Sequence, residues 1–257
     1  MIHEIQEGYV KVDMQSSGIT IIEFFHPRSN SLPAAILNEL AGEIHSAGLQ
    51  TETKVIVLRS AGSGAFCAGA SFTELIAITT AEEGKKFFSG FAHVINTMRK
   101  CPKLIIARIQ GKCVGGGVGL AAAADYAIAT EDADTRLSEL SIGLGPFVVG
   151  PVIQRKIGLS AFSQLAIDAA TWHPADWARR KGLFAELHPN REDMDESIQR
   201  LANELAHTHP EAMAEMKKML WEGTENWDEL LQQRAATSGR LAAGTFTKNA
   251  LEKLKRR

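Results

Sequence analysis

Apolar and polar positions follow two rhythms along this chain. Tyr9 to Met14 and Ile19 to Phe25 alternate as strands do, and Ser16-Ser17-Gly18 between them supplies a turn. After Pro33 the interval lengthens: Leu37, Leu40, Ala41 and Ile44 recur at helical spacing. Lys54 to Arg59 reads as a strand, Glu82 to Met98 as a helix and Lys103 to Ile109 as a strand. Asp125 to Ala129 and Arg136 to Ser138 read as short strands. From about Gly150 the pattern is mainly helical, broken by a strand over Phe184 to Leu187. Leu201, Leu205, Met213, Met216, Met219 and Leu220 give the later helices apolar faces. These rhythms predict an α/β unit of repeated strand–strand–helix turns over residues 1–190, followed by a helical region over 191–257.

Two glycine-rich stretches interrupt the apolar pattern: Phe66-Cys67-Ala68-Gly69-Ala70, and Gln110 to Leu120 with its Gly115-Gly116-Gly117 core. Each follows a short strand and ends where a helix begins, at Ser71 and near Gly117. Absent or tiny side chains let backbone N–H groups approach a ligand closely. Two such loops meeting in space form a two-donor pocket for a developing negative oxygen, and a helix start adds its unpaired N–H groups and positive dipole end. A phosphate-binding P-loop is excluded, because Lys112 precedes the glycines. The dinucleotide fingerprint fits the glycine spacing poorly. Tight packing of a helix on a strand is the other use such glycines have.

Both loops resemble those of the crotonase superfamily, the enoyl-CoA hydratase/isomerase family. Phe66 to Ala70 is similar to its Phe-Xaa-Ala-Gly-Ala loop, and Gly111 to Gly117 to its Gly-Xaa-Xaa-Xaa-Gly-Gly-Gly turn. The likeness continues in order through Asp125 to Ala129, Glu139, Gly150 with Gln154 to Gly158, Ala178, and Gly182-Leu183. The resemblance implies a crotonase-like spiral of β-β-α units that assembles into trimers or dimers of trimers. It implies that the N–H groups of Ala70 and Gly116 hold the thioester oxygen of an acyl-coenzyme A. By the same likeness the carbonyl of Ala68 meets the adenine ring, while Gly69, Gly115 and Gly117 clear a path for the pantetheine arm. Phe72, Leu75 and Phe147 are expected in the acyl-pocket walls.

The same resemblance exposes a departure. Hydratases of the family carry one glutamate just after the triple glycine and a second about 20 residues on. Here the first position is Gly119 and only the second, Glu139, remains. A lone carboxylate in an apolar pocket has its neutral form favoured, which brings its proton affinity towards working pH. That matches the family's single-base 3-enoyl to 2-enoyl isomerases. Hydration, including of branched substrates, is the alternative, with Glu74 or backbone-held water in place of the missing acid. Decarboxylation of a malonyl-type thioester comes third. His26 and His173 read as turn or cap residues.

Composition narrows the picture further. A net charge of −2 among 257 residues argues against nucleic-acid or membrane-surface binding. The longest helical apolar run, Val118 to Ala124, is too short to span a bilayer. The opening residues, Met1 to Glu7, lack the pattern of a signal peptide. Cys67, Cys101 and Cys113 show no metal or redox spacing, so they read as reduced, buried thiols of a cytoplasmic protein, and no metal-ligand cluster stands out. No cofactor is expected beyond the coenzyme A carried by the substrate. Lys248, Lys253, Lys255, Arg256 and Arg257 form a basic end, either a dipole-complementing terminus or, as in some relatives, a contact for coenzyme A phosphates.

Overall fold

The computed structural model describes residues 8–255. The reading of Met1 to Glu7, and that of Arg256 and Arg257, fall outside them. β1 (Tyr9–Met14) and β2 (Ile19–Phe25) pair antiparallel, with Gly18 at φ 86° taking a turn position closed to other residues. β2 then pairs in parallel with β3 (Val55–Ser60), and β3 with β4 (Leu104–Ile109). Between β4 and the next long strand lies a short one, β5 (Cys113–Val114). β6 (Tyr126–Thr130) continues the large sheet, β7 (Thr135–Arg136) joins β5, and β8 (Glu186–His188) closes the large sheet beside β6. Strands β3 and β4 are apolar on both faces because both faces are covered.

The covers come from both halves of the chain. α1 (Ala34–Leu49) and α3 (Ala81–Lys100) bury Leu37, Leu40, Ile44, Ala92 and Ile95 against one face. Met194, Ile198 and Ala202 of α7 (Arg191–Ala206) cover the other, meeting Ile19, Val55, Val57, Ile106 and Ile128. α7, which opens the segment after residue 190, therefore shares the core of the sheet.

Each turn of the spiral also contributes a short segment to a second, smaller ladder. Leu32 pairs with Ala70, Cys67 with Cys113, β5 with β7, and Thr135 with His173. Both glycine-rich loops emerge from this ladder. The first leads into α2 (Phe72–Ala77), where the Ser71 side chain accepts from Glu74 N–H as N-cap. The second leads into α4 (Gly116–Ala123). A 3₁₀ turn over Glu139–Ile142 and α5 (Gly150–Ile167) follow β7. Predicted bounds move by a residue or two because ladder register, not local propensity, ends a strand. Arg136 pairs with Val114, whereas Ser138 already stands as N-cap of the 3₁₀ turn.

The remaining helices are α6 (Ala175–Arg180), α8 (Pro210–Leu220), α9 (Trp227–Ala242) and α10 (Thr245–Lys255). A buried ion pair ties α8 to the sheet: Lys217 Nζ lies 2.8 Å from Asp125 and donates to the Lys103 carbonyl. Asp125 also accepts from Ile105 N–H and Trp221 Nε1. Met213 is core, while Met216, Met219 and Leu220 on the same helix are exposed.

Candidate active site

The two glycine-rich loops meet. A Cβ placed on Gly69 would lie 3.0 Å from the Val114 carbonyl and 3.4 Å from Gly116 N, so only a glycine, here at φ 89°, allows this approach. In the parallel bridge, Leu32 donates to the Gly69 carbonyl and accepts from Ser71 N–H. Such a bridge turns the N–H of Ala70 to the opposite side, away from Leu32. Gly116 is the first residue of α4, where N–H groups lack helical partners. Among the described residues, no backbone hydrogen bond uses the N–H of Ala70 or of Gly116.

Both residues line a cavity of about 570 Å³, together with Ala68, Gly69 and Gly115. Phe72, Leu75 and Phe147 line it too. Gly117 does not belong to that lining: a Cβ there would run into the Cys67 backbone, so its smallness serves loop packing. Cys67 and Cys113 lie buried beneath the loops, and burial pushes the Cys67 thiol up to about 12.

Glu139 opens the 3₁₀ turn and lines the same cavity. Its Oε1 comes within 2.8 Å of where a Gly115 Cβ would stand, so the carboxylate sits directly over the second loop. The residue as a whole is half-buried, but Oε2 is closed off from solvent and has no hydrogen-bond partner among the described residues. Burial raises its pKa to about 7, and a contact with its own backbone lowers it only partly.

The position of the missing acid is filled. A Cβ on Gly119 would lie 2.5 Å from Val149 Cγ1 and 2.9 Å from its Cβ. Val149 itself lines the cavity. An isopropyl group therefore stands where a second carboxylate would project.

Glu74 does not replace it. Its Oε2 accepts from Ala34 N–H at 2.9 Å, so it caps the start of α1 and does not line the cavity. His26 and His173 are likewise outside the lining. His26 Nδ1 accepts from Arg28 N–H within its turn. The His173 ring lies tilted against Trp177, centroids 4.3 Å apart, and burial lowers its pKa. Lys248, Lys253 and Lys255 are exposed on α10 and are absent from the lining, to which that helix gives Leu254.

The cavity's cations are ones the sequence did not single out. Arg28 donates to Thr73 Oγ1, and Arg136 donates to the Ala169 carbonyl beside the Trp172 ring. Lys112, which is outside the lining, places its Nζ 4.7 Å over that ring. Asn30 was also missed. Its side chain accepts from His26 N–H and donates to the carbonyls of Ala61 and Ala65, pinning the approach to the first loop. Asn30 stands at φ 54°, in the left-handed region that Asn tolerates.

Comparison with known proteins agrees with this geometry. The profile of the enoyl-CoA hydratase/isomerase family matches residues 14–254. A Mycobacterium tuberculosis relative, (7aS)-7a-methyl-1,5-dioxo-2,3,5,6,7,7a-hexahydro-1H-indene-carboxyl-CoA hydrolase, is 29% identical over 200 residues, covering 74% of each chain. Methylglutaconyl-CoA hydratase of Mus musculus is 29% identical over 88% of this chain and 72% of its own. The crystal structure of an enoyl-CoA hydratase from Bacillus halodurans superposes with a TM-score of 0.87. It covers 95% of this chain and 99% of its own at 23% identity, and so shows the shared fold. A hydrolase and a hydratase stand equally near, so identity alone does not choose the reaction.

Proposed function

The chain belongs to the enoyl-CoA hydratase/isomerase family, and from that premise we propose that it isomerises an enoyl-CoA thioester, with Glu139 as the single acid–base group. The observation that carries this reading is one buried, unpartnered carboxylate facing two free N–H groups, with Val149 closing the place of a second acid. The thioester oxygen accepts from the N–H groups of Ala70 and Gly116. Ionised Glu139 removes a proton from the carbon between the carbonyl and the double bond. The electron pair moves into a dienolate, whose oxygen is held by the same two donors. Each donor of this kind is worth about 10²–10³ in rate. The Glu139 carboxylic acid then returns the proton at the far carbon, leaving the double bond conjugated with the carbonyl. No proton is gained or lost overall. A pKa of about 7 suits a group that must act first as base and then as acid.

Hydration is the weaker reading. It needs a polar group to hold and activate water at the double bond, and Val149 presents methyl groups there. Arg28 and Arg136, with Trp172, suit the phosphates and adenine of coenzyme A, which enters as part of the substrate.

The test follows the absorbance of the conjugated thioester. With a 3-enoyl-CoA the absorbance is expected to rise, and with the 2-enoyl isomer it is expected to fall only as far as the isomer equilibrium, with no 3-hydroxyacyl-CoA formed. Decay of the 2-enoyl signal with formation of 3-hydroxyacyl-CoA would establish hydration instead. Glu139→Gln is expected to lower the isomerisation rate by at least about 10²-fold, in the range typical of a lost acid–base group.

A further inference from the structure

α9 turns a stripe of buried residues inward: Leu231, Ala235, Ser238 and Ala242, each no more than 1% exposed. Three of them are aliphatic. The fourth, Ser238, puts a hydroxyl on a core position and lines the cavity of Glu139. Among the described residues that hydroxyl makes no hydrogen bond. Two other helical hydroxyls, those of Ser89 and Thr237, bond back to the preceding turn. A hydroxyl that opens on a cavity without a protein partner is free to pair with a ligand group or a water.

The packing of α9 on α3 fixes where along the cavity Ser238 lies. The two helices touch backbone to backbone at Gly84 and Gly239, where a Cβ on Gly84 would lie 2.8 Å from the Gly239 carbonyl. Further along α3, the Phe91 ring packs on Gly116 of the oxygen-binding pair. Gly84 and Phe91 are two turns apart on α3, about 10 Å. Phe88 lines the cavity between those two levels. Ala242, one turn beyond Ser238, belongs to the apolar cluster of Leu75, Phe87 and Leu144. Ser238 thus occupies the end of the cavity remote from the thioester position.

We infer that Ser238 selects acyl groups carrying an uncharged oxygen, a hydroxyl or a ketone, near the far end of a medium-length chain. The inference rests on the acyl-CoA reading of the site. A charged terminus is disfavoured, because the cluster at that end is apolar and Glu139 shares the cavity. Arg28 and Arg136 are already assigned to the phosphates of coenzyme A. A plain alkyl terminus would bury the hydroxyl unpaired, whereas an ω-oxygen pairs with it.

The experiment is calorimetric binding of octanoyl-CoA and its ω-hydroxy counterpart to the wild-type protein and to Ser238→Ala, a small change that keeps the helix. Neither ligand can be isomerised, so binding is read apart from turnover. The wild-type protein is expected to bind the ω-hydroxy ligand roughly threefold to tenfold more tightly, and Ser238→Ala is expected to bind the two alike. Equal wild-type affinities, or a preference that survives in Ser238→Ala, overturn the inference alone. Failure of both ligands to bind removes the acyl-CoA reading and this inference with it.

Discussion

Among the described residues, no donor reaches Oε2 of Glu139, and the shift in its pKa comes from burial, opposed only by its own backbone. Its protonated form is therefore favoured in the folded protein, whereas an unfolded chain releases that proton near the ordinary glutamate value of 4.5. Between about 4.5 and 7 the folded state binds more protons than the unfolded one, so this residue's contribution to stability falls as pH rises through that window. Below the window the cost vanishes, and above 7 it is complete. Glu139→Gln is accordingly expected to stabilise the protein by about 1–3 kcal/mol at pH 8 and by little at pH 4, read from urea unfolding at the two values. A variant no more stable at pH 8 than the parent contradicts this account of the burial. The kcat/KM of the native enzyme should rise through about pH 7 on its acid limb, because the base must first be ionised.

At the scale of elements, the site depends on close crossings that only small residues permit. α3 and α9 meet at Gly84 and Gly239, and this crossing sets Phe88, Phe91 and Ser238 around the cavity. Gly239→Ala is expected to push the helices apart and cost about 1–3 kcal/mol by overpacking. KM should rise more for medium-length than for short acyl chains, since the far end of the cavity widens first. Urea titration with steady-state kinetics on two chain lengths checks both effects, and an unchanged KM ratio would dissociate the crossing from the pocket. Most elements were legible in the chain: β1 and β2 lie where alternation placed them, and the Glu82 to Met98 helix extends only to Ala81 and Lys100. Burial of one face imposes such periods. The crossing was not legible, because Gly84 and Gly239 look alike with or without each other.

For the whole molecule, we propose a homotrimer or a pair of trimers. Supporting it is an exposed apolar face on α8, where Met216, Met219 and Leu220 are 43%, 58% and 45% exposed. Sedimentation equilibrium is expected to give three or six times the chain mass, and Met219→Glu to lower it. A single-chain mass for the native protein would remove the proposal. α10 meanwhile folds back on its own chain: Thr247 donates to the Gly143 carbonyl, Leu251 packs with Leu75 and Leu144, and Leu254 lines the cavity. Lys253 and Lys255 thus flank a residue of the cavity wall, although the three described lysines stay outside the lining. Among the described residues no helix is long and apolar enough to cross a membrane.

The chain by itself determined the strand–strand–helix rhythm, the two glycine-rich loops and the solitary Glu139, because each is written in residue type and local spacing. Glycine must stand where backbones nearly touch, and apolar periods must match the face they bury. Tertiary structure alone decided the rest. It capped α1 with Glu74, set Val149 over Gly119, kept Gly117 for packing and placed Arg28, Arg136 and Ser238 around the cavity. Each of those roles is a contact between residues distant in sequence, and a side chain's chemistry there depends on what the fold puts opposite it.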